Sequence, residues 1–277
     1  MEVFIMKQKA FVSSTCIYPV GNRRLVYYFS DALGFLCPEL ELEDEVIPYK
    51  AQATIALAAC FSKQIEKMVP NAFLSSEIQH MPTAFSEADY EGHVMLAEEL
   101  DLFPFSFHVY GYMTGKLWEF YQQSCQFLDI SLPAGIQRSE RLLHPVVLCK
   151  EESGDFVSLA HSIYQQWALS ARNYAVVTYC LCHQFTESTP MLLTDMDLQF
   201  GTNAQGIMSL SANSLLWENM TLVDASTYQV GKNTDDFLTY PLDEYIATAL
   251  PLETSLALDE ALDAVEDRFT RLYQTVQ

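Results

Sequence analysis

Two aspartates stand two residues apart in a stretch of the chain that predicts a β-strand. Asp195 and Asp197 lie in MLLTDMDLQFG, and because successive side chains of a strand alternate between its faces, both carboxylates point to the same side. Paired carboxylates bind divalent cations, but such a site needs further oxygen ligands, and no third ligand is evident nearby. A solvated strand face is the better interpretation, so the sequence predicts no metal site.

Besides the aspartates, histidines and cysteines are the residues of this chain that could take part in catalysis or bind a metal. Cys180 and Cys182 precede His183 at a spacing that loosely suggests a metal site, yet they lie in the apolar run YAVVTYCLCH, which favours buried structural cysteines. His108 is an acid–base candidate by residue type alone. Because lone histidines in apolar segments are usually core residues with satisfied hydrogen bonds, we predict that His108 is one of these.

The elements that must position these residues follow from turn chemistry and apolar periodicity. KAFVSSTCIY and RRLVYYFS, joined by PVGN, predict a hairpin, and AQATIALAACFSKQIEKM predicts a helix that Pro70 closes. Further strands are predicted for FPFSFHVYGYM, NYAVVTYCLC, MLLTDMDLQFG and IMSLSANSLL. Further helices are predicted for KLWEFYQQSC and for residues 158–174.

The clearest helix in the sequence is the acidic segment 254–277. Thr254 or Ser255 can cap its start, and its apolar residues recur at spacings of three and four, forming one stripe: Leu258, Leu262, Val265, Phe269, Leu272 and Val276. Such a stripe most often docks on the protein's own core, and we predict that this one does.

Composition and charge restrict the classes of partner. The chain has 277 residues, half of them apolar, with 36 acidic and 15 basic side chains and a formal charge of −21. This charge argues against nucleic acid and anionic membranes as partners.

The apolar start is interrupted too early by Lys7 and Lys9 for a signal peptide, and no stretch approaches the roughly 18 apolar residues of a membrane span. Seven scattered cysteines without a CxxC favour a reduced, cytoplasmic protein.

Longer stretches of the chain resemble one known family. VYGYMTGKLWEFY (109–121), followed by LPAGIQRSERLLHPVVLCKEESGDFVS (132–158), resembles the SAICAR synthetases (phosphoribosylaminoimidazole-succinocarboxamide synthases), which show VRGYLTGS-x-W-x-x-Y, LPEGL and TKAE-x-G-x-HD. IPYKA (47–51), VPN (69–71), DMDLQFG (195–201) and YQVGK (228–232) then fall in register with IPGKG, VPNH, D-x-KFEFG and YxxGK. The resemblance covers nearly the whole chain, in order and with few gaps.

The resemblance implies a fold and a reaction. It implies a two-lobed α+β fold, similar to ATP-grasp and kinase-like proteins, with antiparallel sheets and flanking helices. We expect a small N-terminal lobe at 1–104 and a larger lobe at 105–277, which holds a central sheet and the C-terminal amphipathic helix. The family's enzymes use ATP and magnesium to activate the carboxylate of carboxyaminoimidazole ribotide, and aspartate then attacks it to form an amide. Family members are often oligomeric, which leaves a homo-oligomer open.

The same resemblance places a set of residues in or beside the family's cleft: Lys7, Lys9, Asp31, Lys50, Tyr110, Gly111, Tyr112, Thr114, Gly115, Lys116, Lys150, Glu152, Asp195, Asp197 and Gln199. Lys7 and Lys9 either grip an anion at the lobe interface or are solvated lysines on an edge strand. Lys50 lies on a former glycine loop and is similarly ambiguous. Lys150 and Glu152 form either a catalytic remnant or a salt bridge that fixes a loop.

Most positions at which the family's chemistry needs a ligand have changed. The substrate Arg of VRGY is Tyr110, the Ser of TGS is Lys116, and the Glu upstream is Ser106. The Lys and Glu of KFEFG are Asp197 and Gln199. Further changes stand at Met6, Ala32, Tyr49, Ala51, Asp155, Ala212, Asn213, Glu218–Thr221, Leu242–Glu244 and Ala247. The ligands for ATP and magnesium are thus largely missing, so the cofactor is left unassigned. Losing one transition-state donor costs about 100- to 1000-fold, and we expect the parental reaction to be lost.

Charge supports this expectation, because residues 173–267 hold 15 acids and one base, Lys232. Three hypotheses follow, in decreasing order of preference. The first is a repurposed family member whose cleft binds or transforms a different small molecule. The second is a non-catalytic paralogue that acts through a protein partner. The third is a working SAICAR synthetase with shifted ligands.

Overall fold

A computed structural model describes residues 15–32, 46–158, 165–233 and 255–277 of the chain. Within these residues, two main antiparallel sheets and four α-helices confirm the predicted α+β class. The helices are α1 (Lys50–Ile65), α2 (Gly115–Gln123), α3 (Gln165–Thr186) and α4 (Ser255–Val276). The strands are β1 (Thr15–Pro19), β2 (Arg24–Phe29), β3 (Phe73–Ser75), β4 (Val94–Glu98), β5 (Asp101–Tyr112), β6 (Gln126–Phe127), β7 (Ile130–Ser131), β8 (Arg141–Glu151), β9 (Phe156–Val157), β10 (Met191–Thr202), β11 (Met208–Leu210) and β12 (Met220–Asp224).

The first sheet, in the order β1–β2–β4–β3, contains the predicted hairpin. β1 and β2 pair antiparallel, and the turn between them includes Gly21 and Asn22 with φ values of 83° and 53°. This left-handed backbone suits glycine and asparagine, which explains the PVGN signal. Tyr27 and Phe29 of β2 are buried in the same apolar cluster as Phe61 of α1, so this helix covers one face of the sheet.

The second sheet, in the order β11–β10–β5–β8–β9 with β12 also on β10, positions the polar residues of interest. Phe107 and Val109 of β5 are fully buried in the core cluster that includes α3. Ser106, His108 and Tyr110 alternate with them and therefore lie on the opposite face of the sheet. The sheet thus has one apolar face under α3 and one face on which polar side chains gather.

The strand prediction for NYAVVTYCLC is wrong, because these residues belong to the helix α3. The buried residues Ala168, Ala171, Ala175, Tyr179 and Cys182 recur at spacings of three and four, which is the period of a helix face. The β-branched and aromatic content of the run indicated a strand, but tertiary packing of this alanine-lined face overrides that propensity. The helix predicted for 158–174 begins at Gln165 in the described residues and continues to Thr186, while 159–164 lie outside them.

The C-terminal helix α4 docks on the core, as its apolar stripe predicts. Val265, Phe269 and Leu272 are completely buried, and the Phe269 ring meets the Trp217 ring edge-on with centroids 5.6 Å apart. α4 also packs along α1, where Tyr273 stacks on Tyr49 with centroids 5.4 Å apart. The proposed cap Thr254 and the side chain of Leu258 lie outside the described residues.

A backbone bridge and a shared core join the two sheets. Asn71 pairs with Leu210 of β11, and α1 belongs to the same apolar cluster as α3, β10 and α4. The division into lobes at 1–104 and 105–277 remains a prediction. No helix in the described ranges is both long and apolar enough to cross a membrane.

Candidate functional site

Three neighbouring strands bring their polar side chains together on the face of the second sheet that α3 does not cover. In the β5–β10 register, Tyr110 lies opposite Asp195, His108 opposite Asp197, and Ser106 opposite Gln199. On the other side of β5, Ser106 lies opposite Lys150 of β8. Because alternate residues of a strand share a face, these side chains form one polar surface.

Lys150 and Asp197 form an ion pair across this surface. The Lys150 Nζ donates to Asp197 Oδ2 at 2.8 Å, and the two side chains are only 19% and 12% exposed. Burial by itself raises the pKa of Asp197, but electrostatic interactions with His108 and Lys150 and hydrogen bonds from Lys150 and Ser106 lower it below its ordinary value. The sequence left open either a catalytic remnant or a salt bridge for Lys150 and Glu152; in the structure Lys150 pairs with Asp197, because β8 and β10 are the two neighbours of β5 and their side chains meet over it.

His108 and Asp195 form a second pair beside the first. The His108 Nε2 lies 2.9 Å from Asp195 Oδ1, and the imidazole stacks on the Tyr110 ring with centroids 4.3 Å apart. Asp195 also accepts hydroxyl hydrogen bonds from Thr194, Thr221 and Thr114 at 3.0, 3.1 and 3.4 Å. Our interpretation of His108 as a core histidine needs correction, because its ring is partly exposed and lines a cavity.

Two adjoining cavities open over this polar surface. The larger, of about 330 Å³, is lined by Leu102, Phe103, Pro104, Phe105, Ser106, Lys150, Glu151, Glu152, Asp197, Gln199, Asn213, Ser214 and Asn219. The smaller, of about 140 Å³, is lined by His108, Lys150, Asp195, Asp197, Glu218, Asn219, Met220 and Thr221. Lys150, Asp197 and Asn219 line both, so the Lys150–Asp197 ion pair lies where the two cavities meet.

The charge of the two linings is strongly negative. Lys150 is the sole lysine or arginine among these described lining residues, and Asp197 already engages it. Five acidic residues contribute to the two linings: Glu151, Glu152, Asp195, Asp197 and Glu218. The remaining polar groups are neutral hydroxyls and amides, apart from His108.

The residues of the YGYMTGK segment hold the side chains of this surface in place, and none of them lines either cavity. Tyr110 is 2% exposed, and burial raises its pKa well above the ordinary tyrosine value. Tyr112 turns toward α3, where its hydroxyl lies 3.1 Å from His183 Nε2. Thr114 reaches Asp195, and Gly115, with φ of 50°, begins α2. Lys116 lies outside the cavity linings.

Lys116 is exposed and pairs with Glu119 of its own helix at 2.6 Å. The resemblance placed it in the cleft, but its position on the first turn of α2 directs it to solvent instead. Glu152 lines the rim of the larger cavity and is exposed. Lys7 and Lys9 lie outside the described residues.

Asp31 and Lys50 form a separate polar group at the start of α1. Asp31 Oδ1 accepts the Ala51 N–H at 2.8 Å, so this carboxylate caps the helix in place of its N-cap residue Tyr49, which has no side-chain capping bond. Lys50 is 3% exposed, and burial lowers its pKa to about 8 despite the opposing charges of Glu218 and Asp31. Neither Asp31 nor Lys50 lines the two cavities.

Tyr49 stands at the position of a family glycine, and its backbone shows why glycine suits it. Its φ of 65° lies in the left-handed region, which costs a residue with a Cβ roughly 1–2 kcal/mol. Its ring packs on Tyr273 of α4 with an interplanar angle of 14°, and an aromatic pair contributes about 0.5–1.5 kcal/mol. The stack offsets much of the backbone strain.

The buried lysine gives a pH signature. Because the pKa of Lys50 is about 8 when folded and 10.5 otherwise, the unfolded chain binds more protons between these values. We therefore expect the unfolding free energy of the wild type to rise from pH 8 toward pH 10.5 relative to Lys50→Met, by up to about 3 kcal/mol at 1.36 kcal/mol per pKa unit. Urea unfolding of both proteins between pH 7 and pH 10 measures the difference, in which the titration of tyrosines and cysteines cancels. A difference that stays constant with pH would contradict the assignment.

Two features of the described residues weigh against a magnesium–nucleotide site. No three histidine, cysteine or acidic side chains among them are grouped so as to hold a metal ion. The lysine that faces the cavities is bound to a carboxylate, whereas phosphates need available cationic donors.

Sequence reasoning identified most of these cleft residues but not how they pair. It placed Asp195, Asp197, Gln199 and Lys150 in the cleft and marked Ser106, Asn213 and Glu218–Thr221 only as changed family positions. The alternation of Ser106, His108 and Tyr110 along β5 was the available signal for His108, since a polar residue on each side of Phe107 indicates a second, polar face.

Comparisons with known proteins extend over nearly all of the chain. The sequence profile of the SAICAR synthetase family matches residues 17–237. The phosphoribosylaminoimidazole-succinocarboxamide synthase of Chromobacterium violaceum is 24% identical over 229 residues, which cover 80% of each chain. The synthase of the same name from Lachnospira eligens is 23% identical over 274 residues, covering 92% of each chain.

Solved structures show the same fold. The SAICAR synthase of Saccharomyces cerevisiae complexed with SAICAR superposes with a TM-score of 0.79 at 18% identity, covering 99% of this chain and 94% of that one. The SAICAR synthetase of Pyrococcus horikoshii gives a TM-score of 0.59 at 16% identity, covering 93% and 97%. At these identities the likeness establishes the fold alone.

Proposed function

The chain belongs to the SAICAR synthetase family, and from this premise we propose that its cleft binds or transforms a small molecule other than the family's ribotide. One observation carries the proposal: the lysine that lines the two cavities is paired with Asp197 at 2.8 Å, and five acidic residues contribute to the two linings. In this proposal the chain does not ligate aspartate to carboxyaminoimidazole ribotide.

The electrostatics disfavour the family's substrates. The ribotide carries a phosphate, its reacting group is a carboxylate, and aspartate brings two more carboxylates. Two like charges 4 Å apart repel by about 4 kcal/mol at the effective dielectric of a protein surface. Lys150 is already paired with Asp197, and Glu218 is close enough to Lys50 to oppose the lowering of its pKa, so no lysine or arginine among the lining residues is left to bind an added anion.

The same lining suits neutral or cationic polar molecules. Ser106, Gln199, Asn213 and Asn219 bring hydroxyl and amide groups to this lining, which can donate and accept hydrogen bonds. The amide nitrogens of Gln199 and Asn219 already donate to the carbonyls of Phe103 and Asn213. A volume of about 330 Å³ stands at the small end of ligand pockets, which span roughly 300–1,000 Å³. We therefore propose a small polar ligand without phosphate groups, and no nucleic acid or membrane as partner.

A thermal-shift screen of the full chain tests this proposal. ATP with magnesium, ribotides and acidic amino acids should leave the melting temperature unchanged, while members of a panel of amines and unphosphorylated nucleosides should raise it. Asp197→Asn is the matched variant, because it frees Lys150 and should gain stabilisation by phosphate-bearing ligands.

Each outcome of the screen decides between the hypotheses. Clear stabilisation of the wild type by ATP with magnesium would contradict the proposal and favour a working synthetase with shifted ligands. An unchanged melting temperature with every compound of the panel, together with a protein that co-purifies with the chain, would instead favour a non-catalytic paralogue. Cytoplasmic location and a homo-oligomeric state remain proposals, which fractionation and light scattering test.

A further inference from the structure

His108 is held in the cleft in the way that proton-transferring histidines are held. Its Nε2 faces Asp195 Oδ1 at 2.9 Å, and its ring lies nearly parallel to that of Tyr110, with 15° between the planes. The side chain is 21% exposed and lines the smaller cavity. Asp195 thus holds one nitrogen of the imidazole and Tyr110 packs against one face of the ring, while the residue lines the smaller cavity.

The partners of Asp195 determine which nitrogen of His108 carries the proton. Three threonine hydroxyls donate to the Asp195 carboxylate, which stabilises its ionised form. An ionised carboxylate only accepts hydrogen bonds, so Nε2 of His108 must be the donor. The neutral imidazole then carries its lone pair on Nδ1, which no hydrogen bond within the described ranges engages.

We propose that His108 is the proton acceptor of the cleft, acting through Nδ1 on a hydroxyl or ammonium group of the bound small molecule. The ligand's O–H or N–H bond breaks, its electron pair stays on the ligand, and the proton forms the Nδ1–H bond. Asp195 keeps its hydrogen bond to Nε2–H and stabilises the imidazolium. The proposal rests on the proposed function in one respect, namely that a small molecule occupies the cleft.

The charged groups around His108 are consistent with this role. Asp195 and Asp197 of β10 and Glu218 line the same cavity, as does Lys150 of β8, and Tyr110 lies under the ring. An imidazolium formed here is therefore close to carboxylates from two elements. The same carboxylates would attract the ammonium form of a ligand toward Nδ1.

Reaction of the full-length protein with diethyl pyrocarbonate tests the availability of Nδ1. The Nδ1 lone pair attacks a carbonyl of the reagent, ethyl carbonate leaves and takes the Nε2 proton, and it decomposes to carbon dioxide and ethanol. Peptide mass spectrometry then reports the rate at each histidine. His108 should react at least about tenfold faster than His183, which is buried and hydrogen-bonded to Tyr112, and at a rate near that of the exposed His80.

Two variants and one spectrum complete the test. His108→Gln keeps an amide N–H for Asp195, so it should stay folded and lose only the label at position 108. Long-range ¹H–¹⁵N spectra of the wild type should show His108 protonated at Nε2 when neutral, and Asp195→Asn should change that tautomer. A His108 as unreactive as His183, or one protonated at Nδ1, would overturn the proposal. Neither result bears on the thermal-shift screen, so the two proposals fail separately.

Discussion

Gly111→Ala is expected to destabilise the protein by about 3 kcal/mol or more. A Cβ built on this β5 residue would lie 2.7 Å from Cε1 of Tyr179 and closer still to the Tyr179 hydroxyl oxygen. Tyr179 cannot yield easily, because it is 3% exposed and its hydroxyl donates to the Leu193 carbonyl at 3.0 Å. Overpacking costs typically 1–3 kcal/mol, and a broken buried hydrogen bond adds about 1–3 kcal/mol.

A double-mutant cycle measured by urea unfolding separates this clash from other effects. Tyr179→Ala alone leaves a cavity and should also be costly, by about 3–5 kcal/mol. In the Tyr179→Ala background, however, Gly111→Ala should cost much less than it does alone, because its methyl group then occupies the vacated space. If the losses of unfolding free energy in the two single variants simply add in the double variant, the alanine at position 111 does not clash with Tyr179. The close approach of β5 to α3 would then not be the reason for glycine at this position.

Lys150→Met is expected to destabilise the protein by about 2–3 kcal/mol at neutral pH. The substitution leaves the Asp197 carboxylate, whose side chain is 12% exposed, without its ion-pair partner. Breaking a fully buried pair costs about 3–5 kcal/mol, and the partial exposure of this pair reduces that cost. Lys116→Met is the matched control, because Lys116 pairs with Glu119 at 60% and 55% exposure, and such pairs contribute at most about 1 kcal/mol.

The pH dependence fixes the sign of this effect. The pKa of Asp197 is lowered in the folded protein, so its pairing stabilises the fold above the ordinary carboxyl pKa and is lost as the pH falls through the lowered value. The difference between wild type and Lys150→Met should therefore shrink below about pH 4. Adding Asp197→Asn to Lys150→Met should restore much of the stability at pH 7. A deficit that persists at low pH would point to lost packing of the lysine stem instead.

Local signals in the sequence predicted a large part of the fold. The hairpin of β1 and β2 is evident from its turn residues, and α4 from a stripe that is buried at Val265, Phe269 and Leu272. α3 was mistaken in part for a strand, because its YAVVTYCLC run has strand-like propensity while the helix is stabilised by packing of its alanine face. That packing depends on residues that are distant in sequence, and the local strand or helix propensity carries no information about them.

The sequence predicts which residues lie at the candidate site better than it predicts which of their side chains pair with each other. Lys150 is 47 positions from Asp197, and His108 is 87 positions from Asp195, so each pair depends on the register between strands. The family resemblance supplied the neighbourhood, but the changed residues have no counterpart in the family from which their partners could be inferred. The resemblance gives His108 no role, and only the folded chain places it in the cavity beside Asp195.

Synthesis of SAICAR by the purified protein tests the central claim most directly. The full chain is incubated with carboxyaminoimidazole ribotide, aspartate, ATP and magnesium, and the SAICAR synthase of Saccharomyces cerevisiae serves as the positive control. Because the lysine facing the cleft is neutralised and the lining is acidic, we expect no SAICAR above the rate without protein. Turnover at about 1 s⁻¹ or faster, the ordinary range for enzymes, would contradict the account and identify the chain as a working synthetase.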